Sequence, residues 1–79
     1  MKKDKDIALK KLGDRVRAIR RKKGFTQFEL ASFVYKDQQS IQRLEAGRVN
    51  PSYIYLLEIC EGLDIEMKEL LSEEDNRKH

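Results

Sequence analysis

One cysteine, one histidine and no tryptophan occur among the 79 residues. The lone Cys60 excludes an internal disulfide, and with His79 at the chain end no His/Cys set of zinc-ligand spacing can be assembled, so no metal is expected. The same scarcity excludes a nucleophile activated by an oriented histidine, because a terminal imidazole is poorly held. Carboxylates cluster at Glu73-Glu74-Asp75, but a charge run in a polar tail reads as solvated surface rather than as acid/base machinery. The expectation is a chain that is not an enzyme and uses no cofactor. No stretch approaches the roughly 18 apolar residues that cross a bilayer, and the opening MKKDKDIALKKLGD lacks the apolar segment of a signal peptide. A cytoplasmic location without a membrane partner is therefore expected.

What is present is charge, unevenly spread. Hydrophobic and charged residues each make up 39% of the chain, too apolar for disorder and sufficient for one small core. Residues 1–50 hold 14 Lys/Arg against 6 Asp/Glu, whereas residues 51–79 hold 3 against 8. A basic half suits a polyanion, and an acidic half is held away from one.

The apolar periodicity is helical throughout, with no strand pattern or internal repeat. Ala8, Leu12, Val16 and Ile19 form one stripe of a helix expected over about residues 6–22. Asp4 or Asp6 is its candidate cap, and Gly24 closes it. Thr26-Gln27-Phe28-Glu29 is a capping box that starts a second helix at Gln27, with Leu30, Ala31 and Val34 inward. After a turn at Tyr35-Lys36, Asp37 offers the N-cap of a third helix over 38–45. Asn50-Pro51 reads as cap and first residue of a fourth helix, carrying Tyr53, Leu56, Ile59, Cys60 and Leu63 on its inner side. A fifth, from about Glu66 to Leu71, closes the core with Met67, Leu70 and Leu71. The expected architecture is an all-α, compact five-helix domain over residues 6–71, between a flexible arm (1–5) and a polar tail (72–79).

The third helix carries the chemistry. At about 100° per residue, Gln38, Gln42, Gln39 and Arg43 fall at about 0°, 40°, 100° and 140°, while Ile41 and Leu44 fall at about 300° and 240°. One side anchors, and the other presents three amides and a guanidinium. A glutamine amide matches the N6/N7 edge of adenine, and an arginine fork matches guanine O6 and N7, each as a two-point contact in the major groove.

From Leu12 to Leu71 the chain resembles the Cro/C1-type (XRE) helix-turn-helix domains, of lambda-repressor-like fold. The resemblance rests on Leu12-Gly13, Arg15-Val16-Arg17, Arg20, Thr26-Gln27, Leu30-Ala31, Ile41, Leu44-Glu45, Gly47, Pro51, Leu56 and Leu63. The run QQSI followed by LE is especially similar to a phage repressor's recognition helix, with Arg43 where that repressor has glutamine. The resemblance implies a helix-turn-helix formed by the second and third helices, with Gln38, Gln39, Gln42 and Arg43 reading bases. It also implies Gln27, Arg48 and Asn50 at phosphates, with Lys36, Arg15 or Arg17 adding attraction, and an ion pair between Arg20 and Glu45. Two residues depart from the family pattern: Tyr35 stands where glycine is usual, and Lys36 where an apolar residue is, which implies a longer or strained turn.

Ile54, Tyr55 and Leu57 lie off the inner stripe of the fourth helix and need cover, either from neighbouring segments or from a second copy in a homodimer. Double-stranded DNA is the expected partner, and a sequence-specific transcriptional regulator, a repressor acting as a dimer, the expected function. Restriction-modification controller proteins are similar in length. An antitoxin that binds its operator and a toxin protein is the alternative reading.

Overall fold

The computed structural model describes residues 2–72. Five helices follow one another: α1 (Lys2–Lys22), α2 (Gln27–Phe33), α3 (Gln38–Glu45), α4 (Tyr53–Leu63) and α5 (Met67–Leu71). No strand occurs among the described residues, so the architecture is all-α. Apart from Ser72, the expected tail lies outside the described residues.

Local chemistry sets most boundaries. Thr26 accepts from the Glu29 amide at 3.0 Å, while the Glu29 carboxylate accepts from the Thr26 amide at 2.9 Å, closing the capping box that starts α2. Asp37 caps α3 through the Ser40 amide at 2.8 Å. Two starts differ from expectation. α1 begins at Lys2 rather than residue 6, so the stretch expected as a flexible arm is helical from Lys2 onward, and Asp4 lies in the first turn instead of capping it. There its carboxylate faces the positive end of the helix dipole. α4 is capped by Ser52, whose hydroxyl accepts from the Tyr55 amide at 3.0 Å, two residues beyond Asn50. Pro51 accordingly precedes the helix.

The turn between α2 and α3 keeps a tight form. Lys36 N–H reaches the Ala31 carbonyl at 2.9 Å and Tyr35 N–H reaches Ser32 at 3.3 Å, the paired bonds of a Schellman ending. This ending needs a left-handed residue, and Tyr35 supplies it at φ 58°. A side chain there crowds the following carbonyl, at a cost of about 1–2 kcal/mol. The turn is strained rather than long.

Val16, Leu30, Ala31, Val34, Ile41, Leu44, Ile59, Cys60, Leu63 and Leu70 form the core, flanked by Leu12, Ile19, Phe25, Val49, Tyr55, Leu56, Ile65 and Met67. Three expected core residues are instead exposed. Ala8 lines an open groove between α1 and α5, and Tyr53 and Leu71 lie largely in solvent. Tyr55 takes the inward place on α4. α1 crosses α3 at Gly13, where a Cβ would stand 2.5 Å from the Glu45 carbonyl oxygen and 2.6 Å from that of Leu44. Only glycine permits that approach.

Candidate nucleic-acid interface

Gln38, Gln39, Gln42 and Arg43 are all exposed along one side of α3, while Ile41, Leu44 and Glu45 are at most 1% exposed on the other. The helix is therefore held by its apolar side and its C-terminal carboxylate, leaving the amides and the guanidinium directed to solvent.

Glu45 organises the surroundings. Its Oε2 accepts from Arg20 Nε at 2.6 Å, and its Oε1 from Arg20 Nη2 at 3.0 Å, Gln27 Nε2 at 3.0 Å and Arg17 Nε at 3.4 Å. Arg20 also donates to the Phe25 carbonyl at 2.8 Å. One carboxylate thus joins α1, the start of α2 and the end of α3. Burial alone pushes the Glu45 pKa up; the Arg20 hydrogen bonds, the Gln27 amide, the Arg20 charge and Arg17 together outweigh it and hold the carboxyl below the usual glutamate range. Glu45 is an anion whose charge is balanced from within, so the face around it remains basic.

Arg17, Arg20, Arg21, Thr26, Gln27 and Gln38 line one shallow open depression where α2 and α3 begin. Gln27 is half-buried and donates one amide hydrogen to Glu45; the second hydrogen of that –NH2 group remains available to an acceptor. Arg48 and Asn50 are exposed in the loop after α3. That loop folds back on α1 through Gly47, which has φ 75° and whose added Cβ would stand 2.9 Å from Lys10 Cα.

Three residues sit differently from the sequence expectation. Lys36 is turned inward: its ammonium lies 2.8 Å from Glu58 Oε1 and 4.8 Å from the centre of the Tyr55 ring, so its charge is spent within the fold rather than offered to a phosphate. Arg15 donates to the carbonyls of Leu70 at 2.6 Å and Glu69 at 3.0 Å, closing the C-terminal end of α5. Tyr55 leaves the expected dimer patch for the core edge, where its hydroxyl bonds Ser40 Oγ. Ile54 and Leu57 stay exposed at 60% and 37%, joined by Tyr53 at 65%; positions 53, 54 and 57 form one surface patch at helical spacing. Tyr55's switch was not legible because its partner, Ser40, lies on another helix.

A capped helix whose polar side faces out, set behind a tight turn on a basic surface, is the geometry of a helix-turn-helix DNA reader. Residues 16–70 match the family described as Helix-turn-helix. The uncharacterised HTH-type transcriptional regulator y4dJ of Sinorhizobium fredii (strain NBRC 101917 / NGR234) is 36% identical over 66 residues, 84% of this chain and 86% of its own. Among solved structures, the restriction-modification controller protein C.AhdI of Aeromonas hydrophila is similar at TM-score 0.79 and 36% identity, covering 81% of this chain and 97% of that one. The clp gene regulator ClgR of C. glutamicum is similar at TM-score 0.75 and 30% identity, covering 77% and 78%. The chain belongs to the helix-turn-helix family, in its Cro/C1 (XRE) type, whose members are DNA-binding transcription regulators and not enzymes.

Proposed function

We propose that this transcription regulator is a repressor that binds its operator as a homodimer, the recognition helix α3 of each protomer lying in the major groove. Gln38, Gln39 and Gln42 read adenines, and Arg43 reads a guanine. Gln27, Arg48 and Asn50 hold phosphates and set the register. The observation that carries this reading is the division of α3 into a buried Ile41/Leu44 side and an exposed Gln38/Gln39/Gln42/Arg43 side.

Dimerisation is supported by the exposed Tyr53, Ile54 and Leu57 patch on α4, and by the short reach of a single eight-residue helix. Two-fold pairing places a second recognition helix about 34 Å along the duplex, one turn away. Bound there, the dimer blocks polymerase. The likeness to a restriction-modification controller protein, together with a similar length, favours that functional class.

Selection from random duplex DNA tests the whole reading. The expected product is a pair of A-rich half-sites, each containing a G, related by two-fold symmetry and separated by about one helical turn. Recovery of no enriched sequence would reject base reading, and recovery of isolated half-sites would reject the dimer.

A further inference from the structure

α3 is tethered at both ends, by different means. Its last residue, Glu45, is tied to Arg20 of α1. Its first turn is tied to α4, where Ser40 Oγ meets the Tyr55 hydroxyl and the ring of Tyr55 supports the Lys36 ammonium, itself bonded to Glu58. Ser40 is also the residue whose amide Asp37 caps. Turn, recognition helix and α4 therefore meet in one polar cluster directly behind the first turn of α3.

We infer that Tyr55 is a positioning residue for base reading: through Ser40 it fixes the angle at which the start of α3 enters the groove, without touching DNA itself. The inference rests on the reading of α3 as the recognition helix. With the Glu45 end held, loss of the Ser40–Tyr55 bond frees α3 to pivot about its C-terminus. A helix of eight residues is about 12 Å long, so a pivot of about 5° moves its first turn by about 1 Å. Two-point contacts to a base edge do not survive that displacement, because a hydrogen bond is lost beyond about 3.5 Å. Gln38 and Gln39, farthest from the pivot, move most, and Arg43, two residues from Glu45, moves least. The effect is thus graded along the site, unlike that of general loosening.

The test compares the wild-type chain with Tyr55→Phe and Ser40→Ala, each of which removes one hydroxyl of the bond. For each, affinity is measured for the duplex that the wild-type chain selects from random DNA, for the same duplex changed at one base pair at a time, and for a scrambled duplex. Both variants are expected to lower the selected-to-scrambled affinity ratio about three- to tenfold. The double variant should lose no more than either single one, and the loss should fall on positions sensitive to Gln39→Ala rather than to Arg43→Ala. Scrambled-duplex affinity and the thermal midpoint should stay near wild type. An unchanged ratio in both variants, or a fall spread evenly over all positions and over the scrambled duplex, would overturn the inference. Should Tyr55→Phe fail to fold, Ser40→Ala decides alone. If Gln39→Ala and Arg43→Ala themselves leave discrimination intact, it is the recognition-helix reading that fails, and the inference with it.

Discussion

Arg20 and Glu45 form a two-point ion pair between α1 and α3, Nε to Oε2 at 2.6 Å and Nη2 to Oε1 at 3.0 Å, with the carboxylate fully buried. Truncating one partner of such a pair leaves a buried charge unbalanced and costs about 3–5 kcal/mol. Glu45→Ala is therefore expected to lose that much stability in urea unfolding. The fraction that remains folded should keep the wild-type sequence preference, since Glu45 lies on the buried side of α3, away from the exposed Gln38, Gln39 and Gln42.

The same carboxylate makes stability depend on acid. Its pKa is lower folded than unfolded, so its contribution is fully present above the ordinary glutamate range, about pH 4.3. That contribution is lost as the pH falls through this range towards the lower folded value. The thermal midpoint of the wild-type chain should drop more steeply below about pH 5 than that of Glu45→Gln, which has no proton to gain. Parallel curves for the two chains would count against this.

Tyr35 occupies a left-handed position at φ 58° and is 96% exposed, so its side chain contributes no packing to offset the strain. Tyr35→Gly is expected to raise unfolding stability by about 1 kcal/mol, the steric relief exceeding the added chain entropy. Chemical denaturation reads this directly.

Arg43 is assigned to guanine. Arg43→Gln should exchange the G for an A at that position of a reselected site, and Arg43→Ala should weaken binding to the original site by about 1–3 kcal/mol while flattening the preference there. Retention of the G by both variants would remove the assignment.

Ile54→Asp or Leu57→Asp places charge in the α4 patch without touching the core. Each should shift sedimentation at tens of micromolar from dimer to monomer, reduce affinity for a two-half-site duplex far more than for one half-site, and leave the thermal midpoint near wild type. Dimers persisting in both would move the interface elsewhere.

Features encoded within a few consecutive residues were legible in the sequence: the capping box at Thr26–Glu29, the Asp37 cap, the two sides of α3 and the closure of α1 at Gly24. Contacts between distant segments were less so. Arg15 reads as one more basic residue until α5 brings the Leu70 carbonyl to it. Tyr55 falls off an inward stripe drawn from spacing alone, because Ser40 and Lys36, its reasons for turning in, lie 15 and 19 positions away. The Arg20–Glu45 pair, 25 positions apart, was available only through the family resemblance. Asn50-Pro51 misplaced the start of α4 because Ser52, two residues on, is an equally good cap.

At Gly13 the backbones of α1 and α3 touch with no side chain between them. Side chains can switch rotamers to let packed helices slide, but main-chain atoms in direct contact have no such play. At that crossing the C-terminal end of the amide-bearing helix is consequently pinned to the basic N-terminal helix, and any tilt of α3 turns about this point. Whatever play α3 retains is therefore confined to its leading turn, the end farthest from that contact.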